Sequence, residues 1–380
     1  MTTTHAILRH EHTARGPVRR SFLADLQGQP ALGKIGPNWF ASVMGTGIVA
    51  NAAVTLPVAI PGIRAFAVAV WLLAVALLVV VTAATAGHWV HHRDVARRWT
   101  VDPVMSHFYG APAMALMTVG AGAILVAEPL LGASVAVGVS AVLWTAGTAL
   151  GLWTAAAIPL RAFTVHDVAG DAAFGGWLMP VVPPMVSAAT GALLIPHLPA
   201  GQPRETMLMA CYAMFGLTLV ASIVVIAMIW SRLVHHDVGA AAAVPTLWIV
   251  LGPLGQSITA AHNLGTPAAG ILPAPYGTAF EAFGLVYGMP MWGFAMLWMC
   301  IAIAVTTRTA RDGLPFTLTW WSFTFPVGTV VTGTSGLAVV TGLHALTVAA
   351  VALYVGLLLA WATVLTRTIH GAWRGRLLAP

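Results

Sequence analysis

Ten apolar segments of about 20 residues or more follow one another along this 380-residue chain, and they leave little room for any other kind of fold. They run at 37–56, 63–86, 104–126, 131–158, 174–195, 206–231, 245–263, 281–305, 319–340 and 345–367. A helix needs about 20 residues to cross a bilayer. The segments lack the sustained apolar–polar alternation of a membrane β-barrel. Only 7% of residues are charged and the mean hydropathy is +0.87, whereas soluble domains carry about 25% charged residues. The fold class is therefore all-α integral membrane. No gap between segments is large enough for a second domain. The expected organisation is a basic cytoplasmic tail at 1–33, a ten-helix membrane domain at 34–370 and a second cytoplasmic tail at 371–380. Arg19-Arg20-Ser21-Phe22-Leu23 resembles a twin-arginine export signal, but the polar run Ala24–Pro30 supplies no apolar core behind it. The two cysteines, Cys211 and Cys300, lie inside apolar segments and read as core residues.

Charge gives the orientation. Of the 17 Lys and Arg, 15 fall in the terminal tails or in loops that follow even-numbered segments; only Arg64 and Arg204 fall on the other side. Positive residues accumulate on the cytoplasmic side, so both termini are expected there, in a plasma or inner membrane. The net charge of +6 is a topology signal. It forms no basic patch for nucleic acid.

Pro112, Pro183, Pro253 and Pro326 stand 71, 70 and 73 residues apart, each inside an apolar segment. Such prolines bend helices by removing a backbone donor and clashing with the preceding turn, and their period marks a repeated unit. Gly45, 67 residues before Pro112, extends the series to the first segment. The odd-numbered segments carry these residues. Segments two, four, six and ten have no interior proline, and Pro290 in segment eight stands outside the pattern. The odd segments also hold polar stripes: Ser42 and Thr46; His107 and Thr118; Ser187 and Thr190; Gln256 and Thr259; Thr329 and Thr332. Polar groups and broken helices are tolerated at membrane depth where protein buries them or water lines them. The expected arrangement has five odd helices inside and five even helices outside, as five hairpins around a quasi-five-fold central pore. The competing reading gives each Ser and Thr a carbonyl of its own helix or a neighbouring helix to bond.

Trp39-Phe40-Ala41-Ser42-Val43-Met44-Gly45-Thr46-Gly47-Ile48 and Trp320-Trp321-Ser322-Phe323-Thr324-Phe325-Pro326-Val327-Gly328 resemble the first and ninth helices of the tellurite-resistance/dicarboxylate transporter family. That family includes plant slow-type anion channels, yeast malate transporters and sulfite efflux pumps. The resemblance covers about residues 34–370. It implies ten helices in five hairpins, kinked inner helices around a pore, a homotrimer, and a phenylalanine in the ninth helix that plugs the pore. Phe323 and Phe325 both match; Phe325 is preferred because it shares a stripe with Thr329 and Thr332.

No Asp or Glu lies mid-segment: Asp102, Glu128, Asp171, Glu205 and Glu281 sit near segment ends. A cation path usually shows a buried carboxylate. Hydroxyl and amide donors without fixed negative charge suit an anion instead. The expected function is passage of a small inorganic or organic anion: a C4-dicarboxylate such as malate, a sulfite- or tellurite-type oxyanion, or a halide. No enzyme activity, cofactor or metal is expected. One alternative is a proton-coupled dicarboxylate carrier using His107 or His262, since histidine titrates near neutral pH. An alternative of another class is a membrane metal or redox protein using His88, His91 and His92 or His235 and His236, which would need three or four converging ligands. A third is a receptor or scaffold without transport.

Overall fold

The computed structural model describes residues 30–378 together with Leu23 and Leu26. The expected tail at 1–33, with its Arg19-Arg20 pair, lies almost wholly outside the described residues. Leu23 donates its amide to the Trp373 carbonyl (2.9 Å), and Leu26 is buried against Gly375.

The described residues are helical and contain no strand. Five long helices are α2 (Ile63–His91), α6 (Ala133–Thr164), α8 (Gln202–His235), α10 (Tyr276–Asp312) and α12 (His344–Arg374). Five shorter ones are α1 (Phe40–Thr55), α4 (Gly110–Leu125), α7 (Pro183–Gly191), α9 (Leu251–Ala268) and α11 (Phe325–Thr341). Two connecting helices complete the set, α3 (Arg93–Val101) and α5 (Glu128–Leu131). α12 continues to Arg374, four residues beyond the domain edge expected at 370. α6, the helix of segment four, runs far enough to include Pro159, so segment eight is not alone among the even segments in having a helix with an interior proline.

Among the described residues, eight helical stretches are long and apolar enough to cross a membrane. They fall into two groups. The most apolar 18-residue windows of α2, α6, α8, α10 and α12 are 22–33% buried within the protein, against 72–78% for the stretches ending in α4, α9 and α11. The segments expected at 37–56 and 174–195 are not among the eight. The stretch Pro37–Thr55 is long enough, but Asn38, Ser42, Thr46 and Asn51 make it less apolar. The fifth segment is broken by Pro180, Pro183 and Pro184, with Pro196 just beyond its end, into a 3-10 turn at Gly175–Leu178, the nine-residue α7 and another 3-10 turn at Ile195–His197. Each proline withdraws an amide that a continuous helix would need.

The periodic prolines do not bend the middle of α-helices. Each short helix is preceded by 3-10 turns, at Pro37–Trp39, Met105–Tyr109, Gly175–Leu178, Ala241–Val250 and Leu318–Phe323. Pro183 and Pro326 are the first and second residues of α7 and α11, while Pro112 and Pro253 are the third residues of α4 and α9. First-turn amides lack an intrahelical acceptor in any case, so proline is inexpensive there. The break in each segment is a change of helix type, and proline marks where the α-helix begins. Gly45 has another role. A Cβ there would meet the Trp321 ring at 2.7 Å, so glycine lets α1 press against the turn that leads into α11.

The short helices pack in a circuit: α1 on α4, α4 on α7, α7 on α9, α9 on α11, and α11 back on α1. Each also packs on the long helix that follows it. Indole N–H groups tie four of the five long helices, α2, α6, α10 and α12, to the short helix of the next unit. Trp71 of α2 donates to Val119 O of α4 (3.0 Å), and Trp144 of α6 to Ser187 O of α7 (2.9 Å). Trp292 of α10 donates to Thr334 Oγ1 of α11 (2.9 Å), and Trp361 of α12 to Thr46 Oγ1 of α1 (3.2 Å). A buried indole brings a large apolar body and one donor that must be satisfied. Here it satisfies that donor across a seam.

Candidate functional site

Two cavities lie among the short helices, and all five helices or the turns that lead into them contribute to both. The narrow one, of about 20 Å³, is lined at the start of the α-helices. Ala41 and Met44 come from α1, Phe108 and Met114 from α4 and its lead-in, and Met179 and Val182 from the turns before α7. Ile249 and Gly252 come from α9 and its lead-in, while Leu318, Trp321, Ser322, Phe325 and Pro326 come from α11 and its lead-in. A cavity of that size holds about one water. Phe325 is 2% exposed there.

The wide cavity, of about 260 Å³, is lined further along the same helices. Asn51 and Thr55 reach it from α1, and Ala121 and Leu125 from α4. Thr190 comes from α7; Gln256, Thr259, His262 and Asn263 from α9; Thr332 and Ser335 from α11. Neither cavity is lined by Asp, Glu, Lys or Arg. Several lining groups also close seams between helices. Asn51 Nδ2 donates to Thr118 O (3.0 Å), Asn263 Nδ2 donates to Ala189 O (3.2 Å), and the hydroxyls of Thr259 and Thr332 lie 2.8 Å apart. Gln256 Oε1, Asn51 Oδ1 and Ser335 Oγ have no partner within the protein. The wide cavity thus offers hydroxyl and amide groups to a solute, and the narrow one offers almost only carbon.

The residues singled out in the sequence divide between these cavities and other duties. Thr190, Gln256, Thr259, Thr332 and His262 line the wide cavity, while Phe325 and Pro326 line the narrow one. Ser42 and Thr46 line neither. Ser42 donates to Trp39 O (2.7 Å), and Thr46 receives the Trp361 indole. On α1 the cavity face runs instead through Ala41, Met44, Ile48, Asn51 and Thr55, a spacing of three and four residues. Thr118 bonds its own helix at Met114 O (2.7 Å) and packs on Gly47. Ser187 faces α6, where Thr148 donates to it (3.0 Å). Thr329 is fully buried against α9, within 3.2 Å of Leu251 O. Pro183 packs on Gly151 of α6, Pro253 faces outward between α8 and α10, and Pro112 lines neither cavity. Phe323 meets Trp248 and Trp320 edge-on, at ring distances of 5.3 and 5.6 Å. It is outside the narrow cavity, and so is His107.

Met44, Phe108, Met114, Met179 and Ile249 also line the narrow cavity and were not among the expected pore-lining residues. Phe108, Met179, Ile249 and Ser322 each stand four residues before a periodic proline, where a carbonyl is freed, and all four line the narrow cavity; Met44 carries no such mark. No three His, Cys, Asp or Glu side chains converge among the described residues. His88 instead stacks on Trp99 and bonds Leu32 O (2.8 Å).

Long apolar helices around a core of shorter, buried ones, with two uncharged cavities on one line of helices, define a multi-pass helical membrane protein of the transport type. The chain belongs to the voltage-dependent anion channel family, whose sequence profile matches residues 34–369. The resemblance carried by the first and ninth segments is borne out. A sulfite efflux pump of Trichophyton rubrum is 28% identical over 320 residues, covering 80% of this chain and 82% of that protein. A sulfite efflux pump of Arthroderma benhamiae gives the same figures. An uncharacterized transporter of Methanocaldococcus jannaschii is 28% identical over 341 residues, covering 89% and 94%. The family's members are channels and transporters, and this chain is a membrane anion transporter or channel of that family.

Proposed function

We propose that the ten segments form five hairpins around a quasi-five-fold central pore, and that a small anion passes from the narrow cavity to the wide one by way of Phe325. The observation that carries this reading is the lining of both cavities by the same five helical segments, short helices with their lead-in turns, with no formal charge in either wall. Passage of an anion needs donors that bind it weakly and no fixed negative charge to repel it. Ser335 and the remaining amide N–H groups of Gln256, Asn263 and Asn51 supply such donors in the wide cavity, while the hydroxyls of Thr190, Thr259 and Thr332 already bond helix carbonyls or each other. Phe325, with Met44, Phe108, Met114 and Met179, would bar a hydrated ion until the ring turns aside, which makes Phe325 the gate in this reading.

The substrate favoured is a sulfite-type oxyanion, on the strength of the similar efflux pumps; a C4-dicarboxylate or a halide is the competing cargo. The charge pattern supports both termini in the cytoplasm and a plasma or inner membrane location, and family resemblance supports a homotrimer. Flux of sulfite, malate, nitrate and chloride into proteoliposomes, each with and without a pH gradient, tests the reading. Absence of flux for every anion under both conditions would overturn it. A proton-linked mechanism is the second reading, favoured by His262 among the lining residues of the wide cavity.

A further inference from the structure

The narrow cavity has a regular wall with one irregular member. Four residues before Gly45, Pro112, Pro183, Pro253 and Pro326 stand Ala41, Phe108, Met179, Ile249 and Ser322. All five line the narrow cavity, so the repeat sets one side chain from each unit around it. Four of the five are hydrocarbon or thioether. Ser322 is the exception, and it stands in the unit that carries Phe325.

Its hydroxyl is also the exception within its own turn. Every other polar side chain from Thr317 to Thr324 is bonded inside the protein. The hydroxyls of Thr317 and Thr319 lie 2.6 Å apart, and Thr319 lies 2.9 Å from Ala242 O. Trp320 donates to Pro315 O (2.9 Å), Trp321 to Thr368 Oγ1 (3.1 Å) and Thr324 to Trp321 O (2.6 Å). Ser322 Oγ has no hydrogen-bond partner among the described residues, although the residue is only 9% exposed. A buried hydroxyl without a partner is unfavourable unless the space beside it supplies one. The space beside this one is the narrow cavity, with room for about one water.

Ser322 belongs to the 3-10 turn Leu318–Phe323. Residues three apart eclipse in such a turn, which sets Ser322 one turn before Phe325 on the same wall. We propose that Ser322 is the donor that holds a small oxyanion on the lead-in side of Phe325. An anion entering the narrow cavity must shed water, and a wall of carbon and thioether returns nothing for it. The Ser322 hydroxyl replaces one lost hydrogen bond, and a bond to a charged acceptor is stronger than one between neutral groups. The anion is thereby drawn off the central axis toward α11, against the ring that has to turn aside. The place of this site on the path rests on the Phe325 reading, whereas binding at Ser322 is read separately.

The test uses the full chain in proteoliposomes, with nitrate as the probe. The introduced thiol of Ser322→Cys is treated with methyl methanethiosulfonate, in the parent and in Phe325→Ala, and the modified peptide is quantified by mass. Nitrate is expected to slow modification severalfold, and gluconate at equal ionic strength to leave it unaltered. Half-saturating nitrate for flux is then measured in Phe325→Ala. Adding Ser322→Ala is expected to raise it about tenfold, the lower end for a hydrogen bond to a charged group, with maximal flux retained. Adding Ser42→Ala instead should leave it unchanged, since that hydroxyl bonds Trp39 O and lines neither cavity. A thiol that stays unmodified in both proteins, a modification rate indifferent to nitrate, or an unchanged half-saturation in Ser322→Ala would each overturn the site. If Phe325→Ala leaves flux at the parent's level while nitrate still protects position 322, the gate fails and the Ser322 site stands.

Discussion

Trp361 Nε1 donates to Thr46 Oγ1 across 3.2 Å, joining the last helix of the chain to the first. Three other indoles make the corresponding bond between neighbouring units, so the contact belongs to the closure of the circuit. Trp361→Phe keeps most of the ring and removes the donor. It is expected to lower stability by about 1 kcal/mol, the usual net worth of one hydrogen bond. Thr46→Val is expected to cost a similar amount, and the double variant no more than either alone. Thermal unfolding of the four proteins in one detergent measures this. The selectivity of Thr46→Val among anions should match the parent, since Thr46 lines neither cavity.

Phe325 and Phe323 are two residues apart and differ in surroundings, so their truncations are expected to separate. Phe325→Ala removes the largest side chain that closes the narrow cavity from α11. Anion flux in proteoliposomes should rise severalfold, with folding retained. Phe323→Ala takes away two edge-on aromatic contacts, worth about 0.5–1.5 kcal/mol each beyond their buried area. Its thermal stability should fall while its flux stays near the parent's. The opposite pairing of effects would move the gate to Phe323.

The membrane class and the sorting of odd segments inward were legible because they follow from hydropathy and from where polar groups and prolines are tolerated. The face each inner helix turns to the cavities was less so. On α9 and α11 the polar residues mark it, through Gln256, Thr259 and Thr332. On α1 they mislead: Ser42 and Thr46 are the polar pair, yet they bond Trp39 and Trp361, and the cavity face is mostly apolar until Asn51. A hydroxyl in a membrane helix has two uses, lining and fastening, and one sequence does not distinguish them. The prolines were read as kinks because a proline in a long apolar run normally is one. The change from 3-10 to α geometry just before each of them leaves no separate mark in composition.

Gly110 and Gly175 sit where the lead-in turns press backbone on backbone. A Cβ on Gly110 would collide with the Met179 carbonyl, and one on Gly175 with the Thr246 carbonyl. Neither obstacle is the tip of a flexible side chain, so the helices themselves would have to part. Gly110→Ala and Gly175→Ala are each expected to destabilise by about 3 kcal/mol or more, at or above the usual range for overpacking, and to reduce the yield of folded protein sharply. Gly138→Ala, where nothing lies within 4 Å of an added Cβ, serves as the control. Size-exclusion profiles of the three variants make the comparison.

His262 is the titratable side chain among the residues lining the two central cavities. Its imidazole packs against Gly336, where an added Cβ would approach Cδ2 to 2.8 Å, and its neighbours in the wall are Asn263, Thr259, Ser335 and Val339, all neutral. Protonation therefore adds a positive charge to a wall that otherwise has none. At an effective dielectric of about 20, such a charge lowers the energy of an anion ~6 Å away by about 3 kcal/mol. Charge appears as pH falls, so anion flux should rise toward acid pH. His262→Gln removes the titration and keeps a hydrogen-bonding side chain, and its flux should be flat across pH 5 to 8. His107→Gln should follow the parent curve, because His107 lines neither central cavity. Flux measured at equal pH on both faces of the vesicle isolates this effect from any proton gradient. A flat profile in His107→Gln together with a parental one in His262→Gln would place the titrating group outside the wide cavity.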